Sequence, residues 1–382
     1  MPTIDKIDVH VLSNPAEERP HWVSLFKIPS ANELLVRLTT SDGVEGFGLA
    51  TSYTDITPIT RVFETDLADQ VLGEDPTAPE RVYDKLFGLT ATRLANEKGW
   101  AREALIRVSS AVDLACWDIV GKMAGMPLAK LFGGWRDRVP AYVTCAYYRD
   151  GKDNAELRDE IEGLVAAGHR GFKAKVGALS LAEDMARLEI VRDVIGADRD
   201  LMVDVNRAWD LKTATEAIGP LEDLNPRWLE EPLKWWDDRR ETTLLAARTR
   251  IPISGGESEI TAHGCRAFLE EQAIRILQFD CTMFGGYTMG RKLAALCELN
   301  HVDVAPHHDC FIHAPLVAST PAGLIVESFP DPERDPLQAE LFENPPDIRD
   351  GWLTLNPDPG IGLTLSEAAL AKFAAPVYSS HG

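Results

Sequence analysis

Three carboxylates, Asp204, Glu230 and Glu257, stand 26 and 27 residues apart, and each closes a short apolar run: Leu201-Met202-Val203, Trp228-Leu229 and Ile251-Pro252-Ile253. A strand, a helix and two turns use about that many residues in a βα repeat, so the acids are expected at the ends of successive parallel strands. Oxygens converging there make a cage suited to a hard divalent cation, with ligand distances of roughly 2.0–2.1 Å for magnesium. One repeat upstream, Lys173-Ala174-Lys175 puts two amines on one face of a strand, because side chains alternate. A cation beside paired amines is equipment for pulling a proton off carbon. Taken singly, each acid reads better as a surface carboxylate or a helix cap. The shared spacing reverses that preference.

Further along, Asp280 ends Ile276-Leu277-Gln278-Phe279, His307 ends Val304-Ala305-Pro306, and Glu327 ends Leu324-Ile325-Val326. A lone histidine is more often a satisfied core residue, but an aspartate one repeat earlier favours an oriented imidazole. The lysine strand is expected to be buried, since Phe172 and Val176 flank the pair. With Lys173 and a cation at hand, Lys175 is expected to have its pKa depressed towards neutrality, as a general base requires.

These residues need elements to hold them. Strand-like segments at 139–147, 171–176, 201–205, 228–230, 251–255, 274–279, 302–305 and 324–326 alternate with helix-patterned stretches such as 155–167, 181–195 and 288–298. Eight strands with intervening helices, and no glycine-rich phosphate loop after the first, indicate a (β/α)8-type TIM barrel rather than an open sheet. Upstream, residues 33–40 alternate and turn at Ser41-Asp42-Gly43 into Glu45-Gly46-Phe47-Gly48, and helical periodicity follows from Ile59 to Met126. The expected division is an α+β capping domain over 1–134, completed by about 350–382, and a barrel over 135–349, modified in that its last helix is lost.

The segment Asp204-Val205-Asn206, followed through Ala214, Leu221 and Leu229-Glu230-Glu231-Pro232, resembles the mandelate racemase/muconate lactonizing branch of the enolase superfamily. The run Ala111 to Asp118, then Gly121-Lys122, Pro127 and Leu131-Phe132-Gly133-Gly134, is similar to that branch's other signature. Pro359-Gly360-Ile361-Gly362 resembles its C-terminal return. The resemblance implies Mg2+ on Asp204, Glu230 (not Glu231) and Glu257, Lys175 as base, and Lys173 charged against a substrate carboxylate. It implies an Asp280–His307 dyad, with His307 chosen over His308 by its register to Pro321 and Glu327. Glu327 would hydrogen-bond the substrate carboxylate and Asn206 would line the metal pocket. Loops around His21-Trp22 and Ser52-Tyr53 would close over the site and select substrate, with His21 and Tyr53 touching it.

Composition sets bounds. A formal net charge of −21 argues against nucleic-acid or anionic-membrane partners, and attraction of an anionic substrate has to be local. No apolar run reaches bilayer-spanning length, and the N-terminus lacks a signal-peptide profile, so the cytoplasm is expected. The six cysteines form no CxxC pair and read as buried free thiols. The aromatic pair Trp235-Trp236 could line a pocket, but at a barrel rim such pairs more often pack against a neighbouring domain or subunit. The expected assembly is a homo-oligomer, an octamer or smaller. The reading is magnesium-dependent dehydration of a sugar acid, aldonate or aldarate, to a 2-keto-3-deoxy acid. The alternative is a racemase or epimerase of a 2-hydroxy acid or amino-acid derivative using the same Lys175 and His307. A non-catalytic barrel with a structural metal predicts a broken member of the set, and none is broken.

Overall fold

The computed structural model describes residues 2–13, 19–28, 32–52 and 55–380. Its N-terminal part is a four-stranded antiparallel sheet packed on one long helix. Strands β1 (Ile4–Ser13), β2 (Asn32–Thr40) and β3 (Glu45–Ser52) lie side by side, and helix α1 (Arg102–Ala124) crosses them. The close approach depends on Gly46 and Gly48. A Cβ there would stand 2.4 and 2.0 Å from the carbonyl oxygens of Ala115 and Ala111. Helix α1 is buried on nearly every face because its far side meets the barrel. Its buried polar groups are spent on that contact: Asp113 accepts from the Thr288 N–H at 2.9 Å, Ser110 from the Gly285 N–H at 2.8 Å, and Trp117 Nε1 donates to Thr288 Oγ1 at 2.9 Å. Asp118 accepts from the N–H groups of Phe47 and Ile361 at 3.2 and 2.9 Å, tying the sheet to the Pro359–Gly362 return. The Ala111–Asp118 motif is therefore structural.

Eight parallel strands follow: β4 (Arg138–Cys145), β5 (Gly171–Lys175), β6 (Asp200–Asp204), β7 (Trp228–Glu230), β8 (Ile253–Gly255), β9 (Ile276–Leu277), β10 (Asp303–Val304) and β11 (Val326–Ser328). They pair in chain order from β4 to β10, and β11 pairs with β4. Val304 bonds across to the segment entering β11, donating to Ala322 O and accepting from the Leu324 N–H, each at 2.8 Å. Helices such as α2 (Asn154–Ala166), α3 (Leu181–Ile195), α4 (Leu211–Leu224) and α5 (Gly286–Leu299) return the chain between strands. The architecture is an α+β cap on a (β/α) barrel, as the alternation of patterns indicates. A hairpin, Ile348–Arg349 with Trp352–Thr354, adds antiparallel to the start of β4. The last strand, β12 (Ala374–Ser379), pairs with β1, so the C-terminal segment completes the N-terminal sheet.

Inside the barrel, Tyr142, Met202, Trp228, Ile276, Ala305 and Ile325 pack into a plug. Two residues beyond each, on the same face by strand alternation, stand Thr144, Asp204, Glu230, Gln278, His307 and Glu327. The apolar plug is thus the floor beneath a polar layer. All six cysteines are buried and unpaired, and among the described residues no helix is long and apolar enough to cross a membrane.

Candidate active site

The polar layer gathers the residues singled out from the sequence. Register sets Lys175 opposite Asp204, and Asp204 opposite Glu230. Lys173 is wholly buried, a placement that costs several kcal/mol for an unpaired ammonium. It is held 2.6 Å from Glu230 Oε1, 2.7 Å from Glu327 Oε1 and 3.6 Å from Asp204 Oδ2. Lys175 Nζ is ion-paired with Asp204 Oδ2. On the other flank His307 Nδ1 lies 3.2 Å from Asp280 Oδ2, while its Nε2 lies 3.7 Å from Glu257 Oε2. His308 turns away, to Asp309 and Asp335 at 3.4 and 3.2 Å, while His307 faces Glu257 and Asp280. Glu327 accepts from the His308 N–H at 2.8 Å and from Thr144 Oγ1.

The electrostatics follow from crowding charge in a buried space. Glu230 is pushed up to about 8, first by burial and then by Asp204. Glu257 is raised by burial, with His307 opposing. Burial also works against Asp204, but Lys175 and Lys173 outweigh it and hold that carboxyl below its ordinary value. His307 is disfavoured as a cation by burial, yet Glu257, the Asp280 bond and Glu327 carry it to about 9, and Asp280 falls to about 2. Lys175 is expected to be depressed with a cation beside it, and without one the balance runs the other way. Burial lowers the Lys175 pKa, but the Asp204 carboxylate overrides it and the lysine sits above its ordinary value. Lys173 opposes, but by less than Asp204 raises. Depression of Lys175 therefore requires something that takes Asp204 from it.

A divalent cation fits that requirement. With every acid ionised, as metal binding requires, five carboxylates (Asp204, Glu230, Glu257, Asp280 and Glu327) face three cationic groups, Lys173, Lys175 and protonated His307. The surplus of two negative charges matches one such ion. Glu257 Oε2 and Asn206 Oδ1 are buried oxygens without a hydrogen bond, the kind of donor a hard cation takes up. Glu230 is oriented by Trp228 Nε1 and Gln278 Nε2, which donate to its Oε2 at 2.9 and 2.7 Å, and Asp204 by the Asn206 N–H at 2.9 Å.

Other predicted positions are less central. His21 is buried edge-on to Tyr147, ring centroids 5.3 Å apart, and lines a cavity of about 300 Å³ with Thr144 and Arg334 rather than touching the acids. Tyr53 lies outside the described residues. Tyr147 and Tyr148 are buried, with Tyr147 beneath the Lys175 ammonium at 5.6 Å. Trp235 and Trp236 are 64% and 68% exposed. Thr144, Trp228 and Gln278 were not singled out from the sequence. The period-two spacing of the last two from Glu230 and Asp280 was the available signal.

Comparison with known proteins identifies the family. Residues 6–133 match the mandelate racemase/muconate lactonizing enzyme N-terminal domain, and residues 156–369 match the enolase C-terminal domain-like family. The chain belongs to the mandelate racemase/muconate lactonizing enzyme family of the enolase superfamily. It is 30% identical over 343 residues to arabinonate dehydratase of Saccharolobus solfataricus, covering 88% of this chain and 89% of that one. It is 32% identical over 339 residues to L-talarate/galactarate dehydratase of Salmonella typhimurium, covering 88% and 81%. The crystal structure of L-talarate dehydratase from Polaromonas sp. JS666, complexed with Mg and L-glucarate, superposes with a TM-score of 0.86 at 29% identity, covering 100% of this chain and 99% of that one.

Proposed function

We propose that this protein is a magnesium-dependent hydro-lyase that dehydrates a sugar acid, aldonate or aldarate, to a 2-keto-3-deoxy acid. The observation that carries the reading is the flanking of one carboxylate cluster by two proton-carrying groups, Lys175 against Asp204 and His307 against Glu257. Relatives that dehydrate arabinonate and talarate or galactarate support the reaction class.

In this reading Asp204, Glu230 and Glu257 hold Mg2+, with Asn206 beside them. The ion supplies charge stabilisation to the substrate carboxylate as its α-proton leaves. With Asp204 engaged, Lys175 loses its counter-charge and its pKa falls towards the range of a working base. Lys175 takes the α-proton, and the electron pair of that C–H bond moves onto the carboxylate. Lys173, neutralised by Glu230 and Glu327, keeps its proton and binds a carboxylate oxygen. The pair then returns to form the Cα–Cβ double bond as the β-hydroxyl departs, protonated by His307 to leave as water. Asp280 holds the imidazole in the donating orientation, and Glu327 hydrogen-bonds the substrate carboxylate by taking up a proton when that anion enters, since two ionised carboxylates have no donor between them. Tautomerisation of the enol, with a proton added at C3, gives the keto acid. The barrel, 135–349, houses this chemistry, while 1–134 with 350–382 forms the lid, whose His21 and Tyr53 contact the distal part of the substrate.

Racemisation or epimerisation needs His307 as a base on the second face. With Glu257 engaged by the metal, the Asp280 bond and Glu327 still favour protonated His307, which suits an acid better than a base. We place the protein in the cytoplasm as a homo-oligomer, and the exposed Trp235–Trp236 pair suits burial against a neighbouring subunit. The test is a library of acid sugars and N-substituted amino acids screened for keto-acid release, with deuterium uptake followed in parallel. Keto acid from an aldonate or aldarate is the expected result. Inversion of a substrate without keto acid would replace the reading with the racemase.

A further inference from the structure

Each candidate metal ligand has a chain neighbour that the proposed chemistry leaves unused. Arg207 lies just beyond Asp204, Glu231 directly follows Glu230, and Ser258 directly follows Glu257. The structure brings these three together. Ser258 Oγ donates to Glu231 Oε1 at 2.5 Å. Arg207 Nε stands 3.1 Å from the other oxygen, Glu231 Oε2. The Arg207 N–H donates to the Glu231 carbonyl at 2.7 Å, and the Glu231 N–H to Ser254 O at 3.0 Å.

One buried carboxylate thus gives one oxygen to the loop after β6 and the other to the loop after β8, while its own backbone continues from β7. All three ligand-bearing strand ends are joined through it. The joints are not relaxed: Asn206, Arg207 and Glu231 have φ of 46°, 63° and 37°, left-handed conformations that residues with a Cβ adopt only when their surroundings hold them there. The turn at Glu231 keeps its carboxylate out of the barrel while Glu230 points in. Nothing in the proposed reaction uses Glu231, Arg207 or Ser258 directly. Their geometry makes sense as a fixture.

We propose that Arg207, Glu231 and Ser258 are positioning residues that set the spacing of Asp204, Glu230 and Glu257 before a divalent cation arrives. The inference rests on the reading of those three acids as the cation ligands. A cluster of like-charged ligands spreads when nothing ties the strand ends together. Tying them with a pair that is itself charge-balanced leaves their own surplus intact for the metal. Partners of this kind typically change metal affinity by about 10- to 100-fold when removed.

The experiment is titration of Mn2+ or Mg2+ into metal-stripped full-length protein without substrate, followed by calorimetry and by the Mn2+ electron paramagnetic resonance signal. Ser258→Ala and Glu231→Gln are expected to raise the Kd at least tenfold, and Ser258→Thr, which restores the hydroxyl, to bring it back within about threefold. Glu257→Gln serves as the ligand control. If it abolishes binding while Ser258→Ala and Glu231→Gln leave the Kd within twofold, the positioning role is overturned and the ligand reading stands. If Glu257→Gln leaves binding intact, the ligand reading fails and the inference with it. Should Glu231→Gln not fold, Ser258→Ala with its threonine rescue decides alone. A loss of affinity that threonine does not rescue also overturns the proposal.

Discussion

Replacing Lys175 with alanine separates chemistry from architecture. The side chain is 7% exposed and ion-paired with Asp204, which is wholly buried. As general base, its loss should cost about 10² to 10⁴ in turnover, or roughly 3–5 kcal/mol of barrier at 1.36 kcal/mol per decade. The stability effect comes from a different source. Breaking a buried ion pair costs about 3–5 kcal/mol when it strands the remaining charge. Asp204 is not stranded here, because Lys173 remains at 3.6 Å and the Asn206 N–H at 2.9 Å. A destabilisation on the order of 1–3 kcal/mol is expected for the metal-free protein. Removing a positive charge also deepens the carboxylate surplus, so magnesium should bind as well as before or better, and should recover most of the lost stability by mass action. Initial rates on the wild-type substrate, with thermal melts across a magnesium titration, measure all three quantities. Turnover within threefold of wild type would refute the assignment of the base. Weakened magnesium binding would refute the charge count.

His307→Asn should abolish keto-acid release while leaving slow exchange of the α-proton with deuterated water through Lys175. Exchange lost together with elimination would remove His307 from a purely acid role. Magnesium affinity should climb about tenfold per pH unit up to about pH 8 and level off above it, because the Glu230 carboxyl, held near 8, must lose its proton to bind metal. A calorimetric pH series that is flat between 6 and 8 would contradict this. Gly48→Ala should destabilise the fold by about 3 kcal/mol or more in urea melts, since its Cβ would stand 2.0 Å from the backbone oxygen of Ala111 and neither element can give way easily.

The regular parts of the chain were readable because each obeys one short-range rule. Seven of the eight predicted barrel strands overlap observed ones closely, and the eighth, read at 324–326, is observed at Val326–Ser328, shifted towards Glu327. The βα spacing pointed to Asp204 and Glu230, which stand opposite each other, and to Glu257, which lies 3.7 Å from His307 beside them. What stayed hidden depends on where a side chain is sent after its strand ends. The family motif separates Glu230 from Glu231 but does not say where the Glu231 carboxylate goes, which its left-handed backbone turns towards Arg207 and Ser258. The raised basicity of Lys175 in the metal-free site was not legible, because the sequence does not reveal its direct ion pair with Asp204. The packing of His21 on Tyr147 was also not legible, since it depends on a two-stranded hairpin, His21–Trp22 with Lys27–Ile28.

The pairing of β12 with β1 carries a kinetic cost. Asp8 and Ser379, bonded through their side chains at 2.6 Å, are 371 positions apart. During translation β1 emerges well ahead of β12, and its outer edge gains that partner only after residue 379 has left the ribosome. At roughly 5–20 residues per second that leaves an unpaired edge waiting for on the order of 20–70 s. Such an edge is a template for pairing with another chain. The burial pattern of β1 reads as a partial answer: Asp5, Lys6 and Ser13 sit at exposed positions along it, where charged and polar groups discourage a stranger. Expression at low temperature, which slows both elongation and aggregation, should favour soluble yield. A variant with those residues made apolar should lose that yield before it loses any stability of the finished fold.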